Sequence, residues 1–168
     1  PLKYLEFYFL YWERSKPENE SGDAHPIVEL RDVTRKNYRF NVKYRYSSTL
    51  NFSTRIEWVN YLKEGTNSES GFMMSEEVSG KFSRKFSASL EYILFDTDSY
   101  NSRIYAYEND VLYSYSIPFY YYRGSRFILN VHYLLARNID VWLRYSQTLY
   151  SNKTVSGSGL DEIDGNTR

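Results

Sequence analysis

Few residues of this chain have side chains that commonly do chemistry, and those few stand apart from one another. The 168-residue sequence has no Cys and two His, His25 beside Pro26 in a polar stretch and His132 among alternating apolar residues. Neither His has a second His at the spacing of a zinc site, so we interpret both as structural. Ser is frequent, but no nucleophile-elbow motif occurs. We therefore predict no catalytic residue, no metal site, no cofactor and no enzymatic activity.

An acidic, glycine-containing stretch near the C-terminal end is the remaining candidate for an ion site. Asp161, Glu162 and Asp164 lie between Gly159 and Gly165. Carboxylates on a loop are ligands that Ca²⁺ favours, but the ligand spacing of an EF-hand is missing. We interpret this stretch as a solvated loop.

Composition limits the classes of protein to which the chain can belong. Cationic and anionic side chains balance at 21 each, so the surplus of positive charge that draws proteins to nucleic acid is missing, and we expect no nucleic-acid partner. Aromatic residues make up 19% of the chain, and 19 of them are Tyr. Tyr combines an apolar ring with a polar tip, and transmembrane barrels carry girdles of such residues at both membrane surfaces. No run of 18 apolar residues could form a spanning helix.

Apolar and polar residues alternate with a period of two through most of the segments that would position any site. Between residues 38 and 46, every even-numbered side chain is apolar or aromatic and every odd-numbered one is polar or charged. This alternation is typical of a strand with two different faces. The same pattern recurs from residue 50 to 58, after only three intervening residues, which predicts a hairpin. It also recurs, with less regularity, in residues 5–11, 72–82, 86–94, 127–135 and 139–149.

Side-chain pairing predicts the register of the first hairpin. If Tyr46 lies opposite Leu50, the apolar side chains of the two strands face each other all along the ladder. The same register sets Arg39 against Glu57 on the polar face. Opposite charges and apolar pairs that agree on one register support each other.

The connections between strands alternate in length, as they do in barrels with short turns at one rim and long loops at the other. We predict short turns at residues 47–49, 83–85 and 136–138. We predict long polar loops near 15–33, 64–71, 118–125 and 151–168. Residues 100–117 could be one strand, but the alternation would then fail, so we place a turn at 108–110 and split the stretch into two strands.

The resulting count is nine strands, whereas single-chain bacterial barrels normally have an even number. We therefore expect an incomplete barrel, closed by at least one strand after Arg168 and by whatever precedes Pro1. The absence of an initial Met and of a signal segment agrees with a mature or partial chain.

The two faces of these strands supply the candidate site residues. Charged side chains of the polar parity would line the lumen, either as a ladder of ion pairs that fills it or as a polar pore or plug seat. The lumen-lining candidates are Arg39, Lys43, Arg45, Arg55, Glu57, Glu91, Arg103 and Arg144. The candidates to face lipid are Phe40, Val42, Phe52, Ile56, Leu129, Val131 and Leu143.

Two segments carry a resemblance to a known group of proteins. Residues 102–114 (SRIYAYENDVLYS) and 157–166 (GSGLDEIDGN) resemble the C-terminal barrel region of outer-membrane proteins of Bacteroidota, and the similarity extends over roughly residues 86–168. In that family the barrel is often preceded by helix-hairpin-helix repeats. This chain has no such motif, so nothing about DNA handling is implied here, and the resemblance supplies no catalytic motif.

Together these observations predict an all-β protein, an antiparallel up-and-down transmembrane β-barrel in the bacterial outer membrane. Its partners would be the lipid bilayer with its lipopolysaccharide and other envelope proteins, and its role that of a pore, a scaffold or a subunit of an envelope transport or assembly complex. The alternative is a soluble β-sandwich or calyx that binds a ligand or a protein. Burial separates the two, because the apolar parity points outward in a membrane barrel and inward in a soluble sandwich.

Overall fold

The fold is an open antiparallel sheet of seven long strands. The computed structural model describes residues 4–19, 30–115, 117–153, 155–156 and 163–167. The long strands are β1 (Leu5–Asn19), β2 (Leu30–Arg45), β3 (Leu50–Lys63), β4 (Glu69–Lys81), β5 (Phe86–Thr97), β8 (Arg123–Ala136) and β9 (Ile139–Tyr150). Four two-residue strands form two small hairpins, β6 (Ile104–Tyr105) with β7 (Phe119–Tyr120) and β10 (Val155–Ser156) with β11 (Ile163–Asp164).

Each long strand pairs with the next long strand along the chain, in the order β1-β2-β3-β4-β5-β8-β9. Among the described residues, β1 and β9 are the two edges, so the ring predicted from the sequence is not closed. The all-β antiparallel architecture is confirmed. The described part of the chain includes no helix of the length and apolarity needed to cross a membrane.

The register predicted for the first hairpin is confirmed. Phe40 lies opposite Ile56 and Arg39 opposite Glu57. The backbone N–H of Tyr46 donates to the carbonyl oxygen of Leu50 at 3.1 Å and closes the turn. Cross-strand apolar and charge matching therefore selected the correct register.

The connections form two distinct rims. Short turns at residues 46–49, 82–85 and 137–138 lie at one end of the sheet, which we call the turn rim. The described connections at the other end, the loop rim, are longer, and the shorter of them is a five-residue loop at 64–68. The longest within the described residues is the segment 98–122 between β5 and β8, which we call the insert.

The strands extend further toward the loop rim than the predicted loops allow. β1 continues to Asn19 and β2 begins at Leu30, so most described residues of the predicted 15–33 loop are paired. β4 begins at Glu69 and β8 at Arg123, inside the predicted 64–71 and 118–125 loops. These strand ends are polar, and a polar stretch in a sequence favours the prediction of a loop. A backbone ladder continues with polar side chains as well as with apolar ones.

The prediction of nine long strands was wrong, because residues 100–117 do not form two strands of the sheet. The chain leaves β5 at Thr97, forms β6, reverses at residues 111–114 and returns through β7 to β8. Tyr113, within the reversal, has a φ of 66°. The alternation in residues 102–108 has another cause: the even-numbered side chains of this part are buried against one face of the sheet.

The insert covers one face of the sheet, the inner face, and leaves the other, the outer face, uncovered. Apolar side chains from β3, β4, β5 and β8 meet the insert in the largest buried cluster. That cluster consists of Val59, Met73, Ile93, Phe95, Ile104, Ala106, Tyr120 and Ile128. The core of the described structure thus lies between the sheet and its own connecting segment.

Gly71 on β4 permits the closest approach of the insert to the sheet. A Cβ atom at this position would lie 2.2 Å from the backbone oxygen of Ser102, which is itself fully buried. A residue with a side chain would push the insert away from the sheet. Gly71 therefore fixes where the insert enters the inner face.

Candidate functional site

Glu57, at the centre of β3, organises the first cluster of charges on the inner face. Its carboxylate is 1% exposed and accepts hydrogen bonds from Asn37 Nδ2 at 2.6 Å, Arg39 Nε at 2.8 Å and Arg55 Nε at 2.9 Å. A buried carboxylate needs such partners, because its unpaired burial would cost several kcal/mol. Arg55 also donates to the backbone oxygen of Tyr105 at 3.0 Å, which joins this cluster to the insert.

Glu108, on the insert, organises the second cluster. Its carboxylate is fully buried and pairs with Arg126 Nε at 2.8 Å and with Arg144. The hydroxyl of Tyr120 also donates to it. Two cations from β8 and β9 and one carboxylate from the insert thus form a clamp, which we call the Glu108 clamp.

Burial, and then the adjacent Glu108 carboxylate, raise the pKa of Tyr120 far above that of a free phenol, so the hydroxyl remains a donor. Asp110 extends the clamp by pairing with Arg144. Burial acts to raise the pKa of Asp110, but hydrogen bonds from Arg144, the backbone N–H of Val111 and Ser114 outweigh it and hold the pKa below its ordinary value. Asp110 therefore remains charged at neutral pH.

Further polar contacts fasten the insert along its length. Asn109 Nδ2 donates to Glu77 Oε1 at 2.6 Å, and Asn130 Nδ2 donates to the backbone oxygen of Asn109 at 3.0 Å. Near the loop rim, Arg35 Nη1 donates to the backbone oxygen of Asn101 at 3.2 Å. The insert is thus bound to the sheet from one rim to the middle of the inner face.

The lumen-lining candidates lie in five different places. Arg39, Arg55 and Glu57 come together in the first cluster, and Arg144 belongs to the Glu108 clamp. Glu91 lies opposite Glu77 on the inner face. Lys43 and Arg45 lie nearer the turn rim and border a cleft that contains Tyr4 and Glu77. Arg103 is on the insert, not on a long strand, and its guanidinium lies 4.1 Å from the centre of the Tyr100 ring.

The candidates to face lipid all lie on the outer face. Phe40, Phe52, Ile56 and Leu143 are 40%, 37%, 36% and 57% exposed. Val42, Leu129 and Val131, on the same parity, are half-buried by their neighbours on the sheet. One carboxylate interrupts this surface: Glu76 accepts a hydrogen bond from Thr54 Oγ1 at 2.7 Å.

Aromatic rings border the apolar outer surface at both ends. Toward the loop rim, Tyr11 packs against Tyr38 with 5.1 Å between ring centres, and Trp58 packs against Phe72 at 5.9 Å. Toward the turn rim, the aromatic pairs are Tyr44 with Phe52, Tyr46 with Phe52, and Phe82 with Phe86. Beyond the first border, the outer face becomes charged, as in the ion pair of Arg123 with Asp96 at 2.5 Å.

Sequence reasoning missed the clamp residues Glu108, Tyr120 and Arg126. The alternation of loop lengths predicts a turn at residues 108–110, and the period of two predicts a strand from residue 127, so neither Glu108 nor Arg126 is predicted to lie on a strand. The signal that could have found them is the parity of Ser102, Ile104, Ala106 and Glu108, all of which are buried. A carboxylate that continues a row of small and apolar residues indicates a buried charge that needs a cationic partner.

His132 lies in a polar row near the turn rim. Its Nε2 atom is 2.7 Å from Asp140 Oδ1, its Nδ1 atom is 3.5 Å from Ser87 Oγ, and its ring stacks on Trp142. Ser87 lies within a strand paired on both sides, so its neighbouring backbone N–H groups lie in the plane of the sheet and form no oxyanion pocket. We interpret this row as a structural contact.

Several other residues that could do chemistry lie outside the part of the chain that the structure describes. His25, Gly159, Asp161 and Glu162 lie outside the described residues. Within the described ranges, no three His, Asp or Glu side chains are close enough together to hold a metal ion.

Comparison of the chain with models of protein families, with curated proteins and with solved structures finds no match. The inner and outer faces of the sheet are therefore the basis on which a function is argued.

Proposed function

We propose that the chain forms part of the wall of a β-barrel in the outer membrane of a Gram-negative bacterium, and that the insert fills the lumen so that the barrel serves as a non-catalytic scaffold in the cell envelope. The observation that carries the proposal is the inverted distribution of polarity. The carboxylates of Glu57 and Glu108 are 1% and 0% exposed, whereas Phe40 and Leu143 are 40% and 57% exposed. Lipid around the outer face gives a physical reason for this arrangement.

Water is a poor environment for the outer face. Each large apolar side chain left in water forgoes part of the roughly 1.5–3 kcal/mol that its full burial would contribute. Exposed apolar side chains of β1, β2, β3, β5, β8 and β9, with half-buried ones of β4 between them, form a continuous surface, far beyond the scattered single residues of an ordinary soluble protein. This favours the membrane over a soluble sandwich, in which the same side chains would be buried.

The height of the apolar surface fits a bilayer. On β2 and the residue that follows it, the apolar parity extends from Tyr38 to Tyr46, which spans about 27 Å along the chain at ~3.4 Å per residue. A tilt of about 40° reduces this to about 21 Å, close to the band of about 25 Å that encircles outer-membrane barrels. Aromatic rings at both ends are the expected residues at the two membrane surfaces.

The absence of Cys makes the lipid contact directly testable, because any introduced Cys is the only thiol in the chain. We would attach a nitroxide to Phe40→Cys in the intact protein in liposomes and measure its collisions with oxygen and with a water-soluble nickel chelate. Oxygen should dominate at this position. Lys36→Cys, on the same face beyond the aromatic border, is the matched control, and there the nickel chelate should dominate. Equal nickel accessibility at both positions would contradict a lipid contact.

The filled lumen has a separate test. The Glu108 clamp and the bonds from Arg55 and Asn109 place the insert across the inner face, so the intact barrel should conduct ions poorly. Conductance of planar bilayers would be measured for the intact protein and for a variant whose residues 100–119 are replaced by a short Gly-Ser linker. We expect conductance to appear only in the variant. A large, steady conductance of the unaltered protein would refute the scaffold assignment in favour of a pore.

A further inference from the structure

A cleft at the loop rim separates the insert from β1 and β2. Its volume is about 500 Å³, within the range of small-molecule sites. Trp12 and Arg14 of β1 line one wall, Arg35 lines the floor, and Tyr100 and Arg103 of the insert line the other wall. We call it the loop-rim cleft.

The charges that line the cleft do not balance. Five cationic side chains border it, against two carboxylates, Glu18 and Glu57. Glu18 pairs with Lys16 at 2.5 Å. Glu57 pairs with Arg39, which lines the cleft, and with Arg55, which does not. Among the described residues, Arg14, Arg35 and Arg103 form no ion pair. Three guanidinium groups thus face one cavity, and none of them forms an ion pair with a described carboxylate.

Two of these guanidinium groups are held in place before any ligand arrives. Arg35 donates to the backbone oxygens of Asn101 and Arg103. Arg103 donates from Nε to the hydroxyl of Tyr105 and from Nη1 to the backbone oxygen of Tyr100, both at 2.8 Å. A preorganised cation binds an anion without a further loss of side-chain entropy.

Aromatic rings supply the apolar part of the cleft. Trp12, Tyr100 and Tyr105 are 36%, 49% and 43% exposed. The lining is rich in N–H donors and ring faces but poor in acceptors, because its two carboxylates already have cationic partners. A sugar, whose hydroxyls need acceptors as well as donors, is poorly matched. A flat ring with one anionic group is matched by both kinds of lining.

We propose that the loop-rim cleft binds a small aromatic anion, a planar ring that carries a carboxylate or a phosphate, with the anionic group between Arg14 and Arg103 and the ring against Trp12. Arg forms paired, charge-assisted hydrogen bonds with both anionic groups. The proposal does not depend on the membrane assignment, because every residue that it uses lies on the inner face or on the insert.

The test is isothermal titration calorimetry of the intact protein in detergent, with detergent alone as the blank. Benzoate and phenyl phosphate are the probes, and their relative affinities show which anionic group the cleft prefers. Benzyl alcohol and inorganic phosphate are the controls that lack the charge and the ring, respectively. Glucuronate tests the saccharide alternative.

We expect at least one of the two aromatic anions to bind at least tenfold more tightly than any of the three control compounds. Arg14→Gln removes one of the charges that line the cleft and should weaken that binding at least tenfold, since a charged hydrogen bond contributes about that much. Arg84→Gln removes the same charge at the turn rim and should leave the affinity unchanged.

Several results would overturn the proposal. Binding of neither aromatic anion would do so, as would equal binding of benzyl alcohol, inorganic phosphate or glucuronate. Equal weakening by Arg14→Gln and Arg84→Gln would show a diffuse charge effect instead of a site. Circular dichroism spectra of both variants establish that a loss of binding is not a loss of fold.

Discussion

Glu108 is the residue whose replacement most directly tests how the insert is held. Substitution Glu108→Gln preserves the size and shape of the side chain but removes its charge. Arg126 and Arg144, 19% and 15% exposed at their side chains, would then lose the carboxylate that they share. Arg144 retains Asp110, whereas Arg126 retains no charged partner among the described residues.

The magnitude follows from the burial of the clamp. Breaking a buried ion pair by removal of one partner costs about 3–5 kcal/mol, because the other charge remains desolvated. The Arg side chains of the clamp retain some contact with solvent, so we expect the lower half of this range. A loss of about 3 kcal/mol corresponds to an increase of roughly 10²-fold in the population of the undocked insert.

The assay uses Ala106, which is 4% exposed against the sheet in the docked insert. In an Ala106→Cys background, the single thiol reacts with a water-soluble maleimide only when the insert opens. When closing is faster than labelling, the labelling rate is proportional to the open population. Glu108→Gln should therefore accelerate labelling by roughly 10²-fold. Glu76→Gln, the same substitution on the outer face, is the matched control and should leave the rate unchanged.

A labelling rate for Glu108→Gln within twofold of the parent, with an unchanged far-ultraviolet spectrum, would refute this reasoning. Docking would then depend on the apolar cluster around Ile104 alone. Equal acceleration by Glu76→Gln would also refute it, because the effect would arise from general loosening of the sheet.

Three further predictions use the same structure. Gly71→Ala places a Cβ atom 2.2 Å from the backbone oxygen of Ser102, so it should displace the insert and raise the labelling rate in the reporter background. Ile56→Arg should destabilise the protein in lipid by about 2–4 kcal/mol, whereas Asn60→Arg, beyond the aromatic border on the same face, should cost about 0–1 kcal/mol; equal, small effects in urea titrations would oppose the lipid contact. The depressed pKa of Asp110 stabilises docking fully above the unfolded-state pKa of about 3.9, and this contribution is lost as pH falls toward the lower folded-state pKa. Amide exchange of the insert should therefore lose protection in acid in the parent and much less so in Asp110→Asn, and an identical pH profile for both would contradict the pairing.

The sheet could be predicted from the sequence because its two faces differ at every residue. Between residues 38 and 58, the apolar parity, the charge pair Arg39 with Glu57 and the short turn all require the same register, and the structure has it. Each of these signals is local, since it compares neighbours on one hairpin. Local signals are what a single sequence retains.

The insert could not be predicted because its pattern has two physical explanations. Ser102, Ile104, Ala106 and Glu108 alternate with Arg103, Tyr105 and Tyr107, as a strand between lipid and water would. In the structure the first set is buried, with Ile104 and Ala106 in the cluster of Met73 and Ile93, whereas Tyr105 and Tyr107 of the second set are exposed. Alternation indicates an extended segment with two environments, and it does not identify which environments they are. That information comes from residues distant in the sequence, such as Gly71 and Arg126.

The balanced charges of the chain are distributed unequally between the two faces of the sheet. The central part of the outer face, between its aromatic borders, holds one carboxylate, Glu76, which Thr54 satisfies. The inner face, by contrast, holds two buried charge clusters. The first joins Glu57 to Arg39 and Arg55, all on the sheet, and the Glu108 clamp joins a carboxylate of the insert to two guanidinium groups of the sheet. Since Glu108 is carried by the insert and both of its cationic partners by the sheet, neither part can bury its charges alone. The sheet therefore requires the insert as much as the insert requires the sheet, and loss of the insert should leave the charged inner face hydrated.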